Sequence, residues 1–99
     1  MSEIRRGDIF RAKLAEGDGR VVVVSRDAIN AWHNEIVVVP IAEESHQRFP
    51  SHVLVSGGVA TTERVSTLKR DDLLERTGRV PRQTMAAIDE ALKITLDLE

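Results

Sequence analysis

The chain has no cysteine. That absence excludes disulfides and thiolate metal sites, and it fits a reducing compartment. No apolar run approaches the ~20 residues that a membrane helix needs. The opening stretch, MSEIRRGDIF, lacks the apolar core of a signal peptide. The expectation is a cytoplasmic protein with no membrane contact. Charge of one sign is missing too: the formal net charge is only −2, so no global basic field announces nucleic acid. A small cleft, however, needs only a few local cations to bind a polyanion. Repeats, low-complexity tracts and Pro/Gly/Ser linkers are all absent, and the 99 residues are read as one domain, 1–99, with a single modest core.

Several familiar chemistries are excluded by pattern. His33, His46 and His52 are scattered, with no His-x-x-x-His pair, so no metal site is expected. The Gly57–Gly58 pair lacks the surroundings of a phosphate loop and reads as a turn. No Gly-x-Ser-x-Gly or comparable nucleophile signature occurs. No cofactor is implied.

What is present is an ordinary globular composition, 41% hydrophobic and 30% charged. In DIFRAKL, residues 8–14, Phe10, Ala12 and Leu14 alternate with Ile9, Arg11 and Lys13, the period of a half-buried strand. EGDG, 16–19, is a turn rich in residues that tolerate positive φ. RVVVVS (20–25) and EIVVVPIA (35–42) read as strands buried on both faces, with a polar loop, RDAINAWHN, between them. HVLVS (52–56), VATTERVSTL (59–68) and RTGRV (76–80) complete the strands, and KRDDLLE suits a helical turn or two. After Pro81 the period changes: Met85, Ile88, Leu92 and Leu96 mark one face of an amphipathic helix. Strands outnumber helices. The pattern predicts a mainly β, α+β fold, a curved antiparallel sheet or small barrel closed by a C-terminal helix.

The remaining signal is polar residues at strand ends. Arg20 opens the second strand, Ser25 and Arg26 close it, and Glu63 and Arg64 interrupt the fifth where an apolar residue would be expected. A mid-strand Glu-Arg pair is read in two ways. It is a solvated face, or it belongs to a cleft in which a carboxylate and a guanidinium meet a phosphodiester.

Taken in order, RRGDIF, VVVVSRDAIN, IVVVPI, FPSHVLV, ERVSTLKRDDL and GRVPRQTMAAIDEALKITLDL resemble the MazF/PemK-type toxins of toxin–antitoxin pairs, from Arg6 to Leu98. The resemblance implies an SH3-like antiparallel β-barrel with a C-terminal helix (CcdB/MazF-like), working as a homodimer. It also implies a ribosome-independent endoribonuclease, an mRNA interferase that cuts single-stranded RNA at short motifs without a metal. The reaction would be attack by the substrate's 2′-hydroxyl, leaving a 2′,3′-cyclic phosphate and a 5′-hydroxyl. The expected protein partner is a cognate, MazE-like antitoxin whose acidic, disordered tail folds across the groove.

The same resemblance assigns residues. Arg20 is the catalytic phosphate clamp, although anchoring on VVVVS gives it the position of the family's proline and gives Gly19 that of its arginine. A slip of one residue reverses the face on which a strand side chain points. Glu63 matches the acidic position of the fifth strand, as base or orienting carboxylate. Ser25, Arg26, Phe49, His52, Arg64 and Ser66 are the RNA-binding set, through stacking and base-edge hydrogen bonds. His52 is either a structural hydrogen-bonder or the acid for the leaving group. Ala42 stands where the family has a threonine, and Ser45 is the nearest alternative hydroxyl in sequence. That gap motivates a second expectation: a catalytically weakened or non-enzymatic relative that binds antitoxin, RNA or gyrase.

Overall fold

The computed structural model describes residues 3–44 and 46–98. Its elements in chain order are β1 (Asp8–Leu14), β2 (Gly17–Val23), α1 (Asp27–Trp32), β3 (Glu35–Ala42), β4 (His52–Val55) and β5 (Gly58–Thr61). There follow a 3-10 turn (Thr62–Arg64), β6 (Ser66–Lys69), a second 3-10 turn (Arg70–Asp72), β7 (Leu73–Arg79) and α2 (Arg82–Leu96). All pairings are antiparallel, in the order β4-β5-β3-β2-β1-β7, with β6 also paired to β3. The mainly β fold with a C-terminal helix is as expected. Among the described residues the hydrogen-bonded path ends at β4 and β7 and does not close into a ring.

The valine runs explain the centre of the sheet. Val21 to Val24 are all buried, and register sorts them onto two faces. Ile9, Val22, Val24, Val39 and Ile41 pack on one side against Met85, Ile88 and Ala91 of α2. Phe10, Ala12, Val21, Val23, Ile36 and Val38 form the core on the other side with Leu73. Two-sided burial is what an unalternating apolar strand requires.

Four sequence expectations change. The turn expected over 16–19 shrinks to Ala15 and Glu16, because Leu14 already pairs with Gly17. The loop after β2 contains a helix, α1, which Ser25 and Asn30 hold in place. Asn30 Nδ2 donates to Ser25 O at 2.8 Å, Ser25 Oγ donates to Asn30 Oδ1, and Val37 N–H donates to Ser25 Oγ at 3.1 Å. Leu96 is 51% exposed and Ala91 takes its place in the buried stripe of α2. That helix ends with Asp97 in the left-handed region, where Leu98 N–H reaches Lys93 O at 2.8 Å, a Schellman-type closure.

The fourth change matters most. The strand expected over 59–68 is broken in the middle. On β3, Ile36 faces Leu68 and Ile41 faces Ala60. A five-residue step on β3 is thus matched by an eight-residue step on its partner, and the three surplus residues, Thr62–Arg64, form the 3-10 turn. Pro40 lies level with this break. Its carbonyl points to that edge, accepting from Thr61 Oγ1 at 2.9 Å, and proline has no N–H to offer the ladder there.

β5 then packs tightly on the end of β3. A Cβ at Gly58 would lie 2.4 Å from the Ala42 carbonyl oxygen and 2.7 Å from Ile41 Cγ2. Gly58→Ala is expected to destabilise the protein by about 1–3 kcal/mol, the usual range for overpacking. The readout is a lower urea midpoint at unchanged slope; a midpoint equal to the parent's would contradict this approach.

Candidate functional site

The end of β3, the β1–β2 hairpin, the β4–β5 turn and the first 3-10 turn enclose a cleft of about 880 Å³. Arg20, Phe49, His52, Glu63 and Arg64, five of the eight residues expected at the site, line it together with Ala42. The other three do not. Ser25 is buried under α1, five strand residues or about 17 Å along the chain from Arg20. Arg26 is exposed just before α1, and Ser66 is exposed opposite Val38. Ser45 lies outside the described residues.

Register settles which way Arg20 points. It pairs with Ile41, on the face of Val22, and not on the face of Pro40 and Ala42. Its guanidinium nevertheless reaches the mouth of the cleft, where Nη2 donates to the Ser56 carbonyl at 3.0 Å. Gly57 makes room for it, with φ of +77° and an imaginary Cβ only 3.0 Å from Nη2. Continuing the register one step sets Gly19 level with Ala42, so the two side chains there are a hydrogen and a methyl.

Glu63 is thrown out of the sheet by its 3-10 turn and then fixed. His52 Nδ1 accepts from Arg48 N–H at 3.3 Å, so the ring proton sits on Nε2 and is donated to Glu63 Oε2 at 2.9 Å. Ser51 Oγ donates to Oε1 at 2.8 Å. Burial pushes the Glu63 carboxyl up, but the hydrogen bonds from His52, Ser51 and its own backbone outweigh it and hold the group below the ordinary glutamate range. His52 itself is only 5% exposed, so the structure makes it a positioning group with both nitrogens engaged. Phe49 stands edge-on to His52, ring centroids 5.1 Å apart, while remaining 60% exposed. An exposed aromatic held against a cleft wall is a surface on which a base can stack.

Charge in the cleft is mixed. Arg11 pairs with Asp18 at 2.8 Å and Arg48 with Glu44 at 3.2 Å. Arg20 and Arg64 line the cleft without a carboxylate partner among the described residues. These two are the cations available to an incoming anion. The sequence reading missed Arg11 and Arg48. Arg11 was legible in principle, because in DIFRAKL it alternates onto the Ile9 face, but only the hairpin register shows that it stands beside Arg20.

A small antiparallel sheet backed by one C-terminal helix, with a fixed carboxylate and two unpaired arginines at a strand-end cleft, defines a compact β-protein with a charged cleft. The particular kind follows from comparison with known proteins. Residues 5–96 match the PemK-like, MazF-like toxins of type II toxin–antitoxin systems, and the chain belongs to this family. It is 32% identical to Endoribonuclease MazF9 of Mycobacterium tuberculosis (strain ATCC 25618 / H37Rv), with 96% of this chain and 98% of that protein covered. It is 28% identical to Endoribonuclease MazF of Staphylococcus epidermidis, with 96% and 92% covered. Among solved structures, an endoribonuclease in complex with its cognate antitoxin from Mycobacterial species superposes with a TM-score of 0.88 at 27% identity, covering 100% of this chain and 98% of that one. No described helix is long and apolar enough to cross a membrane.

The Glu63 network gives a pH test. A carboxyl with a depressed folded pKa contributes stability above its ordinary value of about 4.3, and that contribution fades as pH falls through the folded value. Carbon-detected NMR titration of Glu63 is expected to show a midpoint below the ordinary glutamate value. His52→Ala, which removes one donor, is expected to raise it. An unchanged midpoint in that variant would show that the bond does not hold the carboxylate.

Proposed function

We propose that this chain is a single toxin domain that acts in the cytoplasm as a metal-independent endoribonuclease on single-stranded RNA. The observation that carries the reading is the placing of Arg20 and Glu63 on one cleft with the exposed ring of Phe49. The 2′-oxygen of one nucleotide attacks the adjacent phosphorus, the bond to the 5′-oxygen breaks, and a 2′,3′-cyclic phosphate and a 5′-hydroxyl result. Arg20 presents a planar fork to the equatorial oxygens, where charge accumulates in the crowded phosphorane. Glu63, ionised and oriented by His52 and Ser51, accepts the 2′-hydroxyl proton. A carboxylate with a lowered pKa is a weak base, so aligning that hydroxyl is the larger part of its role. Water entering the open cleft protonates the leaving oxygen. Phe49 and Arg64 hold bases beside the cut; the exposed Arg26 and Ser66, away from the cleft, bear on RNA only through strand that extends beyond it, and the buried Ser25 takes no part.

The relatives' names carry two further proposals. The antitoxin complex among the similar structures supports a cognate antitoxin as partner here, with an acidic segment lying on the same cations. A symmetric homodimer completes the assembly. A second reading, a weakened toxin that mainly binds, is favoured by one observation: Gly19 and Ala42 leave no arginine or hydroxyl at the level where the family resemblance places them.

Purified protein in excess EDTA is expected to cut a long unstructured RNA at discrete sites and leave cyclic phosphate ends. Arg20→Ala is expected to lose a hundredfold or more of that rate at an unchanged melting temperature, about the effect of removing one donor to a developing oxyanion. An Arg20→Ala variant that cuts at the parent's rate would refute the assignment. A folded parent that does not cut, together with an Ala42→Thr variant that does, would establish the weakened-toxin reading.

A further inference from the structure

Arg11 and Arg20 stand directly opposite each other on β1 and β2. Residues so paired share a face with Cβ atoms about 5 Å apart, and like charges there repel. Both line the cleft, Arg11 turned toward Asp18 and Arg20 toward the Ser56 carbonyl. An anion nearby relieves that repulsion. In the free protein that anion is Asp18, whose carboxylate accepts from Arg11 Nη1 at 2.8 Å. Asp18 pairs with Lys13 in the ladder, which puts it on the same face as both arginines, and it too lines the cleft.

We infer that Arg11 and Arg20 together form a two-arginine clamp for one backbone phosphate, and that Asp18 occupies the phosphate's seat until RNA arrives. The inference rests on the proposed binding of RNA in this cleft and adds a residue and a built-in competitor to it. Three features support it. The Arg11–Asp18 pair is solvent-exposed, with side chains 44% and 54% accessible, and exposed pairs of this kind are weak enough to exchange. Asp18 lies at the end of a hairpin between Gly17, whose φ is +117°, and Gly19, so the backbone on both sides of the carboxylate is glycine. Glu75, opposite Arg11 on β7, lies 3.7 Å from Arg11 Nε. It holds the inner edge of the guanidinium and leaves the terminal nitrogens for an exchangeable partner. The two non-bridging oxygens of a phosphate offer those nitrogens the bidentate geometry of a carboxylate, and the same group can accept a further bond from Arg20.

The clamp predicts effects of opposite sign for two residues that are bonded to each other. The probe is a labelled, unstructured 2′-O-methyl RNA, which lacks the attacking hydroxyl and so reports binding alone, titrated over a range of salt. Arg11→Ala is expected to weaken binding about tenfold, uniformly across probe sequences, and to reduce the slope of log K against log salt by about 0.7, the value for one phosphate contact on a single strand. Asp18→Asn is expected to tighten binding several-fold. A purely structural ion pair would make both variants lose affinity or change neither, with any effect tracking the melting temperature. If Arg20→Ala weakens binding and Arg11→Ala does not, the clamp is overturned while the cleft remains the RNA site. Weaker binding by a folded Asp18→Asn variant also overturns it. A folded parent with no affinity for the probe overturns both the clamp and the RNA-binding reading beneath it.

Discussion

Pro40 cannot donate a hydrogen bond, and much of the site depends on that. It sits in a strand with partners on both sides, where each residue is expected to give and take. On the β2 side it lies opposite Val21 with its polar groups turned away; on the other side it can only accept. The partner strand meets this by leaving the ladder. Thr61 supplies a hydroxyl in place of a backbone donor, and the next three residues coil out of the sheet. Thr62 then anchors the excursion, its N–H and hydroxyl both directed to Ser51 O and its oxygen 2.8 Å from Thr95 Oγ1 on α2. Glu63 is therefore aimed at the cleft by a backbone defect that is tied down at both ends.

The most recognisable segments of the sequence do other work. Asp8, from RRGDIF, is fully buried, with Arg79 Nη1 donating to Oδ1 at 2.8 Å and Arg5 N–H to Oδ2 at 2.9 Å. Arg6 joins three elements: its Nε donates to Val24 O at 3.0 Å, its N–H to Asp27 Oδ1 at 2.7 Å, and its guanidinium is held by Asp89. Gly7 adopts φ of +95° to turn the chain between them. Ser25 and Asn30 close α1 onto β3, and Arg70 caps that helix through the carbonyls of Asn30 and His33. Burying a charge demands a partner, and partners at fixed spacing make a motif. Resemblance in these segments consequently reports the fold, while the cleft is built from other residues.

This division explains what could be read in advance. Val21–Val24 and Ile36–Val39 announce their strands because two-sided burial needs unbroken apolar runs, and the helix after Pro81 announces itself by its period. The short α1 did not, since six residues with one buried asparagine carry no amphipathic repeat. The break at Thr62–Arg64 was visible only as an anomaly, a Glu-Arg pair inside a β-rich stretch, because its cause lies in the register of another strand. The same limit governs the cleft. Glu63, Phe49, His52 and Arg64 are close in sequence and share the cleft; Arg11 and Asp18 reach it through a hairpin pairing that no local pattern specifies. Ser25 was misplaced for the converse reason: a polar residue at a strand end looks the same whether it faces substrate or holds the next helix.

Arg20 shows how finely register bears on chemistry. Its pairing with Ile41 commits its Cβ to the face of the α2-packed core, one residue out of phase with Ala42. A short side chain in that position would be lost to the site. Arginine is long enough to leave the row of core residues at its edge and bring its charge to the mouth, where the Ser56 carbonyl and the open space at Gly57 receive it. The cation is thus delivered by reach and not by direction, and reach leaves it mobile unless something holds it. One carbonyl acceptor is a partial hold for a group with five donors. An anion that completes the remaining bonds would gain both the charge interaction and the ordering of the arginine, which is why the proposed phosphate seat lies where the free protein is least satisfied. The carboxylates around the same cleft keep this from becoming indiscriminate. Five of them line it against four arginines, so its attraction for polyanions is local to the unpaired Arg20 and Arg64, in a chain whose net charge would otherwise give RNA no reason to approach.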